Sequence, residues 1–236
     1  MSANHSTAAG KTGASRQRAL LPVLPLWSWV LVALALGIAL GGGIALVRGS
    51  STTSPISSLA GRPAATWPAG AQHAPNFRLV DEHGAAISLA RFHGRPVIVT
   101  FIDPVCRNLC PLEAKQLNSA VAATPAARRP VIVAVSVNPW ANSPATFRQD
   151  RKKWHLVPQW HWAVGGYART APVWKSYKIG VLAKKKVIAG VTVHEIAHTE
   201  ASYVVDRAGY ERALFLYPFV GKDVATVLEQ LPSPQT

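Results

Sequence analysis

Two uninterrupted apolar segments constrain the fold of this chain more than any other feature. The first, residues 96–102, reads Pro-Val-Ile-Val-Thr-Phe-Ile, and the second spans residues 131–137. Runs of this length that lack polar alternation are typical of strands buried on both faces of a sheet. Such a sheet needs helices on each side, so we expect an α/β protein.

Shorter signals on either side of these segments complete the predicted fold. Ser143-Pro144 combines a capping residue with a proline at the first helical position, which predicts the start of a helix. Strand candidates and helix candidates alternate, and a hairpin precedes the last helix, which indicates a sandwich around one central sheet. The other predicted strands are 77–80, 87–89, 202–205 and 213–216; the predicted helices are 112–122, 145–155, 170–177 and 223–231.

The N-terminal part of the chain has the pattern of a membrane anchor. Residues 1–19 are polar with three basic residues, and residues 20–47 carry no charge. About 20 apolar residues suffice to cross a bilayer, so we predict one transmembrane signal anchor at 20–47. The basic tail favours a cytoplasmic N-terminus, which places the remaining chain on the outer, extracytoplasmic side of the cell membrane.

A composition change separates the anchor from the domain that follows it. Residues 48–73 are rich in Ser, Thr, Pro, Gly and Ala, which predicts a flexible linker. The folded domain is expected to cover residues 74–236.

The formal charge of +14 raises the question of a nucleic-acid partner. The basic residues are scattered, however, and cluster only at 151–153 and 184–186. An exported domain also rarely meets nucleic acid. We therefore predict no nucleic-acid binding, and the charge is compatible with an acidic partner or a lipid surface.

The chain has only two cysteines, Cys106 and Cys110, with three residues between them. A helix N-terminus lowers a thiol pKa, so a pair placed where a helix begins is expected to be reactive. A disulfide that closes so short a loop would constrain the unfolded chain little, which argues against a purely structural role. Two readings remain open on these residues alone: reversible disulfide exchange, or capture of a soft metal ion such as Cu(I).

Two of the eight histidines, His194 and His198, are the best candidates to complete a metal site. They form the pattern His-Glu-x-x-His, which binds zinc in metalloproteases when it lies on a helix. Val191-Thr192-Val193 precedes it and a predicted strand follows, so we expect no such helix and no zinc protease. His198 is expected in a loop at the sheet edge. We expect His194 to be an ordinary surface residue and not a further ligand.

Four short motifs accompany the cysteine pair and His198 along the chain. They are Cys-x3-Cys-Pro at 106–111, His-Thr-x3-Tyr-Val-Val-Asp-x2-Gly at 198–209, Pro-Asn-Phe-x-Leu-x-Asp-x2-Gly at 75–84 and Ser-Val-Asn-Pro at 136–139. These motifs resemble the Sco/SenC family of copper chaperones over about residues 74–231. The resemblance implies a thioredoxin-like three-layer α/β sandwich with a central mixed sheet, and copper, Cu(I) or Cu(II), bound by Cys106, Cys110 and His198. Two departures are Arg107, where the family usually has proline, and Asn138 and Asn142, where acidic residues are common.

The resemblance implies delivery of copper to a cytochrome c oxidase subunit or another copper acceptor. The alternative is a membrane-anchored thiol–disulfide oxidoreductase that uses Cys106 and Cys110 as a redox pair, forming a disulfide when oxidised. Both functions need a thiol reductant. His198 distinguishes them, because a three-ligand copper site requires it and thiol exchange does not.

Overall fold

A computed structural model describes residues 62–232 of the chain. Ten strands and four α-helices form in this part, with 3₁₀ turns at Leu89–Phe92 and Ala126–Arg128. The strands are β1 (Ala65–Thr66), β2 (Leu79–Val80), β3 (Ala86–Ile87), β4 (Val97–Ile102), β5 (Val131–Ser136), β6 (Trp160–Ala163), β7 (Val181–Ile188), β8 (Val191–His198), β9 (Ala201–Val205) and β10 (Glu211–Leu216). The helices are α1 (Leu109–Ala123), α2 (Pro144–Lys153), α3 (Tyr167–Ser176) and α4 (Gly221–Glu229).

Six strands form one mixed sheet in the order β1-β10-β9-β4-β5-β6. β4, β5 and β6 run parallel, whereas β9 is antiparallel to both β4 and β10. Every residue of β4 and β5 is buried, which confirms that the two apolar segments are strands covered on both faces. The two pairs β2–β3 and β7–β8 are separate hairpins.

Two apolar clusters lie on opposite faces of this sheet, and β4 contributes to both. Ile98 and Ile102 pack in the cluster that also contains residues of α1, α2 and α4. Val99 and Phe101 pack in the other cluster, with residues of α3 and the segment before β2. Because successive side chains of a strand point to opposite faces, this partition places helices on both sides of the sheet. The predicted three-layer sandwich is confirmed.

Helix α4 lies against α1, the helix that carries Cys110. A Cβ atom at Gly221 would collide with the backbone carbonyl of Gln116, so only glycine permits this approach. The Gln116 side chain accepts a hydrogen bond from the Gly221 N–H at 2.9 Å. This close contact with α4 therefore helps to hold α1, and with it Cys110, in position.

The hairpin formed by β7 and β8, here called the hairpin arm (Val181–His198), was not predicted from the sequence. Its strands pair along their whole length, from Val181 with His198 to Ile188 with Val191. Most of its residues are exposed, including Leu182 at 70% and Val187 at 67%. Little of the arm lies against the core, so neither strand needs one apolar face. Charged and apolar residues therefore mix along both strands, and the sequence lacks the alternation of apolar and polar residues that predicts a strand.

The linker prediction for 48–73 is corrected in its last part. Ala65 and Thr66 form β1, which pairs with β10, and Trp67 packs against the core. The domain therefore begins before residue 74. The predictions for residues 1–19, for the anchor at 20–47 and for the start of the linker lie outside the described residues. Within 62–232 no helix is both long and apolar enough to cross a membrane.

Candidate metal centre

The cysteine pair lies where β4 ends and α1 begins. Cys106 is in the loop and is half-buried, whereas Cys110 is in the first turn of the helix and is fully buried. Asn108 caps the helix by accepting the N–H of Leu109 at 2.8 Å. The helix starts before the predicted residue 112, and the loop-then-helix arrangement that the spacing requires is present. Both thiols are free.

The surroundings of Cys106 favour its thiolate. A hydrogen bond from the Cys110 thiol is the largest cause; burial opposes it, and backbone N–H groups of residues 108–110 support it, so that the pKa of Cys106 falls to about 5. The Cys110 N–H lies 3.5 Å from Cys106 Sγ. A protonated Cys106 donates instead to Asn108 Oδ1 at 2.9 Å, which favours the thiol. That single contact is outweighed, because several donors converge on the sulfur from a helix N-terminus.

Cys110 behaves in the opposite way. Its pKa is raised because it donates a hydrogen bond to Cys106 and because burial penalises its charged form. The pair therefore consists of one half-buried, reactive thiolate and one fully buried thiol that retains its proton. This asymmetry is suited both to stepwise metal binding and to disulfide exchange.

His198, the last residue of β8, reaches the cysteine pair from the hairpin arm. Its Nε2 lies 3.6 Å from Cys110 Sγ, and its Nδ1 lies 3.1 Å from the carbonyl oxygen of Thr199. A carbonyl only accepts, so Nδ1 carries the hydrogen and Nε2 presents its lone pair to Cys110. Burial lowers the pKa of His198, which favours the neutral imidazole that binds metals.

Antiparallel pairing of β4 with β9 explains why these groups meet. Thr100 lies opposite Ser202, so the loop after β4 is next to the segment that enters β9. That segment contains His198 and is held at its root, where the Thr199 N–H donates to the Gly180 carbonyl at 2.9 Å. His198 thus ends a strand of the arm, instead of lying in the predicted loop.

Glu200 joins this group, although the sequence analysis did not single it out. One ligand atom from each of Cys110, His198 and Glu200 lies within 4.8 Å of the others. Burial, and then the charge of Cys106, raise the pKa of Glu200 to about 7. The sequence position of Glu200 could have indicated it as a candidate ligand, because it is the acidic residue nearest to His198.

His194 has a different environment. Its ring stacks on Trp140 with centroids 4.0 Å apart and planes at 11°. It lies in strand β8 together with His198, so the helix that a zinc protease needs is absent from this motif, as expected. The structure therefore assigns His194 to a contact between the arm and the loop after β5.

Two buried polar groups support the cysteine loop and its helix. Asp103 accepts the Val105 N–H at 3.0 Å and the Asn138 side-chain amide at 3.1 Å, which fixes the loop to the end of β5. Glu113, one turn beyond Cys110, accepts hydrogen bonds from Thr100 at 2.8 Å and Ser202 at 2.9 Å. Burial raises the pKa of Glu113 to about 7. The sequence analysis missed both residues because their role depends on contacts between distant segments.

The site opens to solvent through a cleft of about 670 Å³, lined by the cysteine loop, the end of the arm and the start of the segment after β10. Val105 and Leu109 at its rim are 36% and 43% exposed. Cys106 lines this cleft, whereas Cys110 is fully buried behind it.

The model of the SCO1/SenC family matches residues 66–232. The chain belongs to the SCO1/SenC family. A search of curated proteins gives no match. This match confirms the resemblance drawn from the cysteine and histidine motifs, and it begins at residue 66, within β1.

Solved structures show the fold of the SCO1/SenC domain. Copper-bound ScoI of Bradyrhizobium japonicum is 24% identical, with a TM-score of 0.57 over 69% of this chain and 100% of that one. Copper-bound yeast Sco1 is 17% identical, with a TM-score of 0.59 over 67% and 88%. The thioredoxin domain of a thiol-disulfide oxidoreductase from Bacteroides vulgatus is 20% identical, with a TM-score of 0.50 over 70% and 96%. The SCO1/SenC domain is therefore thioredoxin-like.

Proposed function

We propose that this SCO1/SenC protein is a membrane-anchored copper chaperone that binds copper as its cargo through Cys106, Cys110 and His198. The observation that carries the proposal is the 3.6 Å approach of His198 Nε2 to Cys110 Sγ. This approach joins a histidine to a cysteine that is 88 residues away along the chain. Two solved relatives in this family carry copper, which agrees with the proposal.

The donor set fits copper. Thiolates are soft ligands suited to Cu(I), and a neutral imidazole suits copper in either oxidation state. Cys106 is poised as a thiolate, so it makes the first contact with the ion. Cys110 then releases its proton as it binds, since only the thiolate is a ligand.

Release to an acceptor follows from the open cleft. Ligands of an acceptor, which we propose to be a cytochrome c oxidase subunit or another copper protein, reach the ion from the Cys106 side. Exchange proceeds one ligand at a time while the buried Cys110 retains its hold. The thiols must be reduced before loading, so a thiol reductant is a second partner.

The proposal includes anchoring by the uncharged segment at residues 20–47, with the SCO1/SenC domain on the extracytoplasmic side. Its support is the sequence pattern alone. Extraction of membranes with alkaline carbonate is expected to leave the full chain in the pellet. A variant that lacks residues 1–47 is expected in the supernatant, and recovery of the full chain there would contradict anchoring.

A second candidate, thiol–disulfide exchange, is favoured by the asymmetry of the pair. The Cys106 thiolate attacks one sulfur of a partner disulfide, and the other partner sulfur leaves as a thiolate. Cys110 then loses its proton and attacks Cys106 Sγ, so the partner is released as a dithiol and the chain retains a Cys106–Cys110 disulfide. This reaction needs no contribution from His198.

Copper titration with and without His198 distinguishes the two functions. The full chain, reduced and free of metal, is titrated with Cu(I) against a chromophoric chelator. We expect one ion per chain, and His198→Ala weakens binding by about tenfold or more, because a ligand should matter at least as much as the groups that orient one. His83→Ala, at an exposed turn away from the site, serves as the matched control.

Absence of Cu(I) binding by the unmodified chain would contradict the chaperone. Disulfide reductase activity that His198→Ala leaves unchanged would then favour the alternative. Far-UV circular dichroism checks that both variants fold.

A further inference from the structure

The carboxylate of Glu200 stands beside two of the three proposed copper ligands. Its nearest oxygen, Cys110 Sγ and a ring nitrogen of His198 all lie within 4.8 Å of one another. A single ion placed among these atoms is within reach of all three side chains. Glu200 is outside the ligand set argued so far, which contains only sulfur and nitrogen.

This carboxylate has no counter-charge in the described part of the chain. It makes no hydrogen bond and no ion pair with any residue of 62–232, although the protein carries a formal charge of +14. It is half-buried and lines the cleft beside the cysteine loop. Its oxygens are therefore available to a divalent metal ion held between Cys110 and His198.

The backbone holds Glu200 in this position. Its carbonyl oxygen accepts the Tyr217 N–H at 3.1 Å, where the chain leaves β10. On the other side, Thr199 is tied to Gly180 by two hydrogen bonds, one from each N–H. Glu200 thus lies between two anchored points, and its side chain is presented to the cleft without a rearrangement of the backbone.

We propose that Glu200 is the fourth ligand of divalent copper, and that it takes no part in binding Cu(I). The proposal rests on the proposed function, since it assumes the site of Cys106, Cys110 and His198. Soft thiolates satisfy Cu(I), whereas Cu(II) favours a four-coordinate tetragonal geometry that accepts hard donors. The carboxylate supplies the missing hard donor, and it makes the protein able to hold copper in both oxidation states.

Glu200→Gln tests this assignment in the full-length, reduced and metal-free protein under anaerobic conditions. Cu(II) binding is followed by competition with a chelator, by the thiolate-to-Cu(II) absorption and by electron paramagnetic resonance. Cu(I) binding is followed with a chromophoric chelator. We expect Cu(II) affinity to fall about tenfold or more, with altered copper hyperfine splitting, while Cu(I) affinity changes by less than about threefold.

Three further measurements sharpen the result. Ni(II) is not reduced by thiolates. We expect Glu200→Gln to lower the affinity for Ni(II) as it lowers the affinity for Cu(II). Glu195→Gln is the matched control, because Glu195 lies on the neighbouring arm but is exposed and paired with Lys186. Glu200→Asp keeps the carboxylate on a shorter side chain, and we expect an intermediate Cu(II) affinity. This variant keeps the proposal testable should the glutamine variant fail to fold.

Unchanged Cu(II) affinity in Glu200→Gln, or an equal loss for Cu(I) and Cu(II), would overturn the assignment of Glu200. Either outcome leaves the chaperone proposal intact as long as the His198 variant weakens Cu(I) binding. Failure of the unmodified protein to bind Cu(I) contradicts the chaperone itself. The two failures are therefore distinguishable.

Discussion

The two sides of the proposed copper site are built in contrasting ways. Cys106 and Cys110 stand on the core, between a fully buried strand and a helix whose inner face is fully buried. His198 and Glu200 come from the end of an exposed hairpin arm and the segment that follows it. One half of the site therefore shares the stability of the domain, whereas the other half depends on a few local contacts.

This difference indicates that the two halves of the site have different roles in binding and releasing an ion. A rigid cysteine pair fixes where an ion binds, while an arm with few core contacts can release its ligand at low cost in free energy. The proposed chaperone function requires that the protein both hold and release copper. We therefore expect substitutions in the core and in the arm to have different effects on stability and on copper binding.

The largest effect is expected from the core. Phe101→Ala removes a fully buried ring that packs on Tyr177 and Tyr203, and it should lower the free energy of unfolding by about 3–5 kcal/mol. Ile188→Ala, at the tip of the arm, should stay within about 0.5 kcal/mol. Urea denaturation measures both. A loss at Ile188 as large as that at Phe101 would contradict the picture of an independent arm.

The next effect concerns Glu113, which ties the cysteine helix to β4 and β9. Its pKa is about 7 in the folded protein and 4.5 when exposed, so the folded state binds more protons between these values. Stability therefore falls as the pH rises from about 4.5 to about 7. Glu113→Gln keeps an acceptor for Thr100 and Ser202 but does not ionise.

Relative to Glu113→Gln, the unmodified protein should lose about 3 kcal/mol of unfolding free energy between pH 4.5 and pH 8. Denaturation curves at several pH values measure the difference. If the stabilities of the two proteins change with pH in parallel, the predicted free-energy cost of ionising buried Glu113 is contradicted.

The smallest effect is expected from the contact that holds the arm. Trp140→Ala removes the ring stacked on His194, and such aromatic pairs contribute about 0.5–1.5 kcal/mol. We expect faster amide exchange in the arm and a Cu(I) affinity about three- to tenfold weaker, because binding must then order the arm. Global stability should hardly change.

Tyr210→Ala is the matched control for this experiment. It removes a stack on His73 with the same 4.0 Å centroid distance, at the end of β9 remote from the cysteine pair. An equal loss of copper affinity in both variants would show that Trp140 acts through general stability instead of through the arm.

Much of the fold could be predicted from local patterns. The buried strands at 97–102 and 131–136 follow from continuous apolar runs, and the helix from Pro144 follows from its cap. The hairpin arm could not be predicted in this way, because exposed strands with lysines and scattered apolar residues lack an alternating pattern. β1 was missed because Ala65–Thr66 is too short to show any period.

The sequence by itself determined the chemistry of this protein: two thiols at a spacing that suits a helix start, and a histidine in a motif that indicates the same family. Only the tertiary structure decided which groups meet. The antiparallel pairing of β4 with β9 brings His198 and Glu200 to Cys110, and stacking on Trp140 occupies His194. Pairing between distant strands depends on the packing of the whole sheet, and local sequence does not encode it.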